Sequence, residues 1–195
     1  MKVVKQSQNA AAKAAGFLKN GGVIICPTDT VYGFLADASN KKAVGKIYKI
    51  KKRPTSKPLP VFVKDMKMAR QLAEIDGRQA KILKKFWPGK YTFILKRKSD
   101  VGRPIALYGV DKHTIALRIP KYSFLNSVLK KVNRPLAQTS VNISAKAPLN
   151  TIDQIISTFG KNKLVDLVIN AGSLKNVKPS KIIDLRSSST KIVRI

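Results

Sequence analysis

The sequence predicts an α/β fold whose sheet contains both parallel and antiparallel strands. The chain has 195 residues, 44% of them apolar. This is enough for one domain with a sizeable core and too few residues for two domains of ordinary size. Helical and strand-like segments alternate without internal repeats, low complexity or a Gly/Ser linker. Strand-like segments then dominate after Gly89, so a regular doubly wound repeat is not expected. We expect one domain over residues 1–195.

The elements of the first half follow from apolar spacing and from residues that cap or end helices. The first helix carries the stripe Ala11, Ala14, Ala15 and Leu18, ends at Gly21 and Gly22, and precedes a buried strand at 23–26. The next helix is capped by Asn40, ended by Pro54 and apolar at Ala43, Val44, Ile47 and Ile50. After a strand at 61–63 come a helix that follows Asp65, with Ala69 and Leu72 inward, and a helix with Ile82, Leu83 and Phe86 inward that ends at Pro88.

The second half is predicted to contain mainly strands, because its segments are rich in β-branched and aromatic residues. We expect strands at 91–96, 114–119, 136–140, 164–169, 181–185 and 191–195. Helical spacing from Phe124 to Val132 predicts one intervening helix. Thr151 and Gln154 fit a capping box that opens another helix, with Ile155, Ile156 and Phe159 inward.

The balance of charge points to anionic ligands. The chain has 39 Lys and Arg residues against 10 Asp and Glu, a formal net charge of +29, and such a field attracts phosphates and nucleic acids. Its cations are dense between Ala38 and Lys64, a segment without a carboxylate. Net charge alone does not identify a ligand, since basic residues also occupy faces that look merely solvated.

Several kinds of chemistry are excluded by what the sequence lacks. A single cysteine, Cys26, and a single histidine, His113, cannot form an internal disulfide or a conventional zinc site. We interpret them as a small buried hydrophobe and an ordinary loop residue. Phosphate-loop, dinucleotide-binding and nucleophile-elbow motifs do not occur. No apolar run is long enough for a membrane span, and residues 1–8 lack the apolar segment of a signal peptide, so a cytoplasmic protein without a membrane partner is expected.

Three polar segments are candidates for a binding site. Residues 27–33, PTDTVYG, place hydroxyl groups at a strand end; they could hold a small ligand or simply satisfy a turn, and both interpretations stay open. Lys51, Lys52 and Arg53 precede Pro54, and prolines that fix the backbone where cations leave a helix allow a defined phosphate cradle. The alternative is an ordinary solvated charge run.

The third segment is TSVNIS at 139–144. If the strand continues, Ser140, Asn142 and Ser144 face the same side, where they could hydrogen-bond one ligand; polar alternation on an edge strand is the alternative. Arg118 lies within the apolar run IALRIP at 115–120. A guanidinium with apolar neighbours needs a carboxylate or phosphate partner.

Together the segments resemble the YrdC family of threonylcarbamoyl-AMP synthases over nearly the whole chain. The matching pieces occur in the family's order: PTDTVYG at 27–33, IYKIKKRP at 47–54 with KPL at 57–59, WPG at 87–89, IALRIP at 115–120, SVNIS at 140–144 and PSKIID at 179–184. Each piece is weak alone, but six in order over one domain are specific. The resemblance implies a twisted, mixed α/β sheet with flanking helices around a large positively charged cavity.

The resemblance also assigns roles to individual residues. Lys51 and Arg53 match the family's K-x-R pair, and Ser140 and Asn142 its S-x-N pair; both pairs bind ATP and support catalysis. Further ATP-binding positions are Lys57, Thr114, Ser180 and Arg194, and the threonine-binding positions are Thr30 and Arg118. This sequence departs from relatives at three positions: Phe62 stands where a number of them have a histidine near the threonine, Ala145 replaces the usual glycine, and Lys181 replaces a threonine.

The activity implied is synthesis of threonylcarbamoyl-AMP from L-threonine, bicarbonate and ATP, with Mg²⁺ accompanying ATP and no protein-bound metal. The product would serve proteins that transfer threonylcarbamoyl to adenosine 37 of certain tRNAs. Two alternatives stay open: a non-catalytic protein that binds double-stranded RNA or tRNA, which the charge would support, and a carbamoyltransferase domain, against which the missing accompanying domains count.

Overall fold

The computed structural model describes residues 1–99, 106–174, 178–187 and 189–194. Within these ranges the chain forms six helices and ten strands. The helices are α1 (Gln8–Lys19), α2 (Lys41–Lys51), α3 (Met66–Leu72), α4 (Gly77–Phe86), α5 (Ser123–Val132) and α6 (Ile152–Phe159). The strands are β1 (Lys2–Lys5), β2 (Ile24–Cys26), β3 (Gly33–Asp37), β4 (Val61–Phe62), β5 (Tyr91–Lys96), β6 (Thr114–Arg118), β7 (Leu136–Ser140), β8 (Leu167–Asn170), β9 (Lys181–Asp184) and β10 (Lys191–Arg194).

All ten strands of the described residues join one sheet in the order β1-β8-β2-β3-β7-β4-β6-β5-β9-β10. Four pairs are parallel (β1 with β8, β2 with β8, β4 with β6, β5 with β9), and the other neighbours are antiparallel. The prediction of a mixed parallel and antiparallel sheet with flanking helices is confirmed.

Two apolar clusters pack on the sheet. The larger includes the inward residues of α2 and α6 and an edge-to-face pair between Phe34 and Phe159, whose ring centroids are 5.2 Å apart. The smaller packs α1 and α5 against the sheet around Leu18 and Leu129. In the described ranges, no helix combines the length and the apolar character needed to cross a membrane.

Helix ends were predicted well where a local cap exists. The Asn40 side chain accepts a hydrogen bond from the Ala43 amide at 3.0 Å, as expected of an N-cap. Helix α2 ends at Lys51, before Pro54, because Lys52 adopts a left-handed conformation with φ of 51°. Gly21, with φ of +75°, similarly follows the end of α1.

Several sequence-based assignments were wrong. The predicted capping box of α6 is incomplete: Thr151 accepts from the Gln154 amide, but the Gln154 side chain accepts from the Asn150 amide. Ile156 is 40% exposed instead of inward. The strand predicted from Leu164 starts only at Leu167. Strands β1 and β3 were not predicted.

Candidate active site

A cavity of about 340 Å³ opens on one face of the sheet. Thr114, Ala116 and Arg118 line it from β6, and Gln138 and Ser140 line it from β7. Alternate residues of a strand share one face, so the strands present these side chains together. Their neighbours Leu117 and Ala137 belong to the apolar core on the other side.

Nine of the ten predicted site residues line this cavity. They are Thr30, Lys51, Arg53, Thr114, Arg118, Ser140, Asn142, Ser180 and Arg194. The tenth, Lys57, has an exposed side chain outside the lining and takes part through its carbonyl oxygen, which accepts from Arg53 Nε at 3.1 Å. The sequence segments therefore converge in space, and the individual roles of these residues stay predictions.

Lys51 is a buried and fully hydrogen-bonded cation of the cavity. It is 2% exposed at the end of α2, and its Nζ donates to the carbonyl oxygens of Ser140 (2.6 Å) and Asn142 (2.9 Å) and to Asn142 Oδ1 (2.8 Å). Three acceptors match the three donors of an ammonium group. Burial, and secondarily the charge of Arg53, lower the pKa of Lys51 to about 7, so both protonation states are populated near neutral pH.

Asn142 lies in a loop after β7 and not in the extended strand that the sequence pattern predicted. Strand β7 ends at Ser140, and the chain then bends, so the expectation that Ser140, Asn142 and Ser144 share a strand face was wrong. Asn142 Oδ1 accepts from Ser140 Oγ (2.7 Å) and Lys51, and Nδ2 donates to the carbonyls of Ile143 and Lys146. These four bonds use both amide donors and both lone pairs of the carbonyl oxygen. Ser140 keeps its lone pairs for a ligand.

Arg118 pairs with a carboxylate inside the protein. Its Nη2 lies 2.5 Å from Asp29 Oδ1, in an ion pair whose side chains are 2% and 7% exposed. Its other bonds run from Nε to the Gly89 carbonyl (2.9 Å) and from Nη1 to Thr30 Oγ1 (3.2 Å). The guanidinium also lies 5.5 Å from the centroid of the Phe62 ring, the aromatic residue that departs from the family pattern. Burial lowers the pKa of Arg118, and Asp29 opposes that shift.

Arg53 and Arg194 retain donor capacity. Arg53 donates from Nε to the carbonyl oxygen of Lys57 and from Nη2 to that of Pro58. Arg194, on β10, donates from Nε and Nη2 to the carbonyl oxygen of Ser180, and the partial burial of its guanidinium lowers its pKa. A guanidinium has five N–H donors, so each side chain keeps donors for phosphate oxygens.

Hydroxyl groups at the β6–β9 side of the cavity are already oriented by neighbours. Thr114 Oγ1 donates to Asp111 Oδ1 at 3.1 Å, which leaves its lone pairs for a ligand donor. Ser180 Oγ lies 2.9 Å from Thr92 Oγ1 and accepts from Arg194. Backbone bonds from His113 and Thr114 lower the pKa of Asp111. Asp111 is the one carboxylate among the lining residues that the structure describes, against four cations.

The structure also identifies residues that the sequence argument missed. Asp29, within the 27–33 motif, is the partner of Arg118, and Gln138 and Asp111 line the cavity. The only sequence signal for Asp29 was its place in the 27–33 motif, and no local pattern distinguished Gln138 or Asp111 from other polar residues. Cys26 is fully buried, as expected of a small hydrophobe, and burial raises the pKa of its thiol; His113 is an exposed loop residue.

Comparison with known proteins places these features in a family. The family model Sua5_yciO_yrdC, described as "Telomere recombination", matches residues 16–195. A putative threonylcarbamoyl-AMP synthase of Methanocaldococcus jannaschii is 38% identical over 199 aligned residues, covering 100% of this chain and 90% of the relative. A threonylcarbamoyl-AMP synthase of Pyrococcus abyssi is 33% identical over 174 residues, but these cover 49% of that relative, about half its length, and 88% of this chain.

Solved structures are similar as well. The crystal structure of P. abyssi Sua5 complexed with L-threonine superposes with a TM-score of 0.85 at 26% identity, covering 99% of this chain and 56% of that one. The crystal structure of E. coli YciO superposes with a TM-score of 0.84 at 26% identity, covering 99% and 92%. The matched fold therefore makes up about half of the P. abyssi chain and nearly all of the E. coli chain.

Proposed function

The chain belongs to the Sua5/YciO/YrdC family, and from that membership we propose that it is an L-threonylcarbamoyladenylate synthase. Its substrates are L-threonine, bicarbonate or CO₂, and ATP; its products are threonylcarbamoyl-AMP and pyrophosphate. The observation that carries the proposal is the convergence of nine predicted site residues on one cavity. Relatives of 33–38% identity carry the name of this activity.

The cavity contains chemically different groups that suit these substrates. Thr114 and Arg118 lie four residues apart on β6, which separates them by roughly 13 Å along the strand. At the Arg118 end, the neutral Arg118–Asp29 pair and the Thr30 hydroxyl suit a zwitterionic amino acid. Arg53 and Arg194 supply donors for a polyphosphate. An amino acid and the phosphates of ATP can therefore meet within one enclosed space.

The reaction needs positioning and charge neutralisation more than a protein nucleophile. The amine of threonine adds to CO₂, or to bicarbonate with loss of water, and gives a carbamate. A carbamate oxygen then attacks the α-phosphorus of ATP, a P–O bond forms, and the bond to the leaving pyrophosphate breaks. Cations that hold the phosphates stabilise the charge that moves onto pyrophosphate, and enclosure protects the labile carbamate from water.

We propose that magnesium enters as part of the substrate, MgATP. In the described part of the chain, no group of three or more His, Cys, Asp or Glu side chains could hold a metal ion. Mg²⁺ commonly binds through substrate phosphates together with one or two carboxylates, and not in a dedicated cage of protein ligands. We also propose that the product passes to a separate protein that modifies tRNA, as the chemistry of an activated threonylcarbamoyl group requires an acceptor.

The test is formation of the adenylate itself. Purified protein is incubated with radiolabelled bicarbonate, MgATP and L-threonine, and the nucleotides are separated by chromatography. We expect a labelled adenylate and stoichiometric pyrophosphate only when threonine and bicarbonate are both present, because the attacking group is made from both. ATP cleavage at an undiminished rate without threonine would contradict the proposal. Tight RNA binding without any adenylate would support the RNA-binding alternative instead.

A further inference from the structure

Two buried threonine hydroxyls beside Arg118 form a directed chain of hydrogen bonds. Thr28 and Thr30 lie in the turn between β2 and β3 and are 5% and 4% exposed. Thr28 Oγ1 lies 2.8 Å from the carbonyl oxygen of Val31, 3.0 Å from the amide nitrogen of Thr30 and 2.9 Å from Thr30 Oγ1. Thr30 Oγ1 also lies 3.2 Å from Nη1 of Arg118.

Counting donors fixes the direction of each bond. A carbonyl oxygen can only accept, so the single hydroxyl hydrogen of Thr28 goes to Val31. The Thr30 amide can only donate, so it fills one lone pair of Thr28 Oγ1. With the Thr28 hydrogen already used, the contact between the two hydroxyls must take its hydrogen from Thr30. The Thr28 hydroxyl is then saturated, with one bond donated and two accepted.

The same count leaves the Thr30 hydroxyl with a single lone pair that can accept a hydrogen bond from a ligand. Its hydrogen points to Thr28, and one lone pair accepts from the guanidinium of Arg118, which cannot act as an acceptor. One lone pair remains. Thr30 lines the cavity, whereas Thr28 does not belong to its lining. The side chain that lines the cavity is thus oriented by one that does not.

We propose that Thr28 is a positioning residue that fixes the Thr30 hydroxyl as a hydrogen-bond acceptor, and that the group it meets is the β-hydroxyl of L-threonine. A carboxylate has no hydrogen to offer, so it is excluded from this position. The ammonium group is disfavoured because the same oxygen already holds a guanidinium N–H, and a second cation there would be repelled. The neutral hydroxyl is the remaining donor of threonine. This inference rests on the proposed function, because it concerns recognition of that substrate.

The test compares amino acids that differ in this donor. Dissociation constants of L-threonine and L-valine are measured by calorimetry in the presence of a non-hydrolysable ATP analogue, for the wild type, Thr28→Val and Thr28→Ser. We expect the wild type to prefer L-threonine about tenfold or more, since an unpaired buried acceptor weakens valine. In Thr28→Val the Thr30 hydroxyl is free to rotate, and the preference should fall at least about threefold. Thr28→Ser keeps the hydroxyl and should retain it.

The ratio of the L-valine and L-threonine dissociation constants separates a loss of positioning from general damage to the site, since general damage would weaken the binding of both amino acids equally. A wild-type measurement covers the case in which Thr28→Val does not fold: the analogue of threonine with fluorine in place of the β-hydroxyl has no hydrogen to donate and should bind no better than L-valine. Undiminished preference in folded Thr28→Val, or an analogue that binds as tightly as L-threonine, overturns this inference and leaves the proposed function standing. A wild type that binds no L-threonine overturns both.

Discussion

Lys51 makes the stability of the protein depend on pH in a window where few other groups titrate. Its pKa in the folded state is about 7, below the ordinary value of 10.5. Between these values the unfolded chain holds a proton at Lys51 that the folded chain has released. Stability therefore rises with pH across this window, and the full cost of the buried ammonium is present only below about pH 7. For one proton, the free energy of unfolding should increase by roughly 2 kcal/mol between pH 7 and pH 9.

The contribution of Lys51 is isolated by subtracting the profile of Lys51→Met, which keeps an unbranched side chain and removes the charge. Urea unfolding at pH 6, 7, 8 and 9 gives the free energy of unfolding of both proteins. As the pH rises above 7, the wild type should become more stable relative to Lys51→Met. Lys42→Met is the matched control, because Lys42 is an exposed cation near the start of the same helix. A difference between wild type and Lys51→Met that stays constant from pH 7 to pH 9 would show that the three acceptor oxygens hold Lys51 charged throughout, and would refute the reasoning.

Two further predictions concern the other cations. Arg53→Ala removes a charge-assisted contact to phosphate worth about 1.5–3 kcal/mol, so kcat/KM should fall roughly ten- to a hundredfold. The control Lys42→Ala removes a solvated charge and should change kcat/KM less than about threefold. Equal small effects of the two substitutions would argue against a phosphate site at Arg53. Asp29→Asn leaves the guanidinium of Arg118 buried without its counter-charge and should lower the free energy of unfolding by about 3–5 kcal/mol, measured by urea titration. Glu74→Gln, which breaks an exposed ion pair, is its control at under about 1 kcal/mol.

The elements that the sequence predicted correctly are those that local chemistry determines. The caps at Asn40 and Asp65 act on amides three residues away, and the apolar stripe of α1 packs as its spacing indicates. Strands β1 and β3 have no comparable local signal: β1 is short and mostly exposed, and β3 is buried at every position, so neither alternates. Register across the sheet depends on partners far away in the chain, which no local pattern contains.

The site shows the same division between local and long-range information. The motifs identified Lys51 and Ser140, but their contact joins residues 89 positions apart. Arg118 was correctly expected to need an anionic partner, and that partner is Asp29, equally distant along the chain. The bend after β7 then placed Asn142 differently from an extended strand. Composition and spacing therefore indicated which residues matter, while the tertiary fold determined which of them satisfy one another.

That pairing decides how the cavity distributes its charge between substrates. Lys51 spends its three donors on protein oxygens, and Asp29 neutralises Arg118. Arg53 and Arg194 are the lining cations of the described chain whose charge no carboxylate partner offsets and whose donors are only partly used. A polyphosphate can therefore neutralise the charge of these two arginines, whereas the Arg118–Asp29 pair is already neutral and suits a molecule without net charge. A cavity whose cations were all free could bind phosphate at any of them; here the charge without a carboxylate partner lies on Arg53 and Arg194, which favours binding of the polyphosphate at these side chains and not at Arg118.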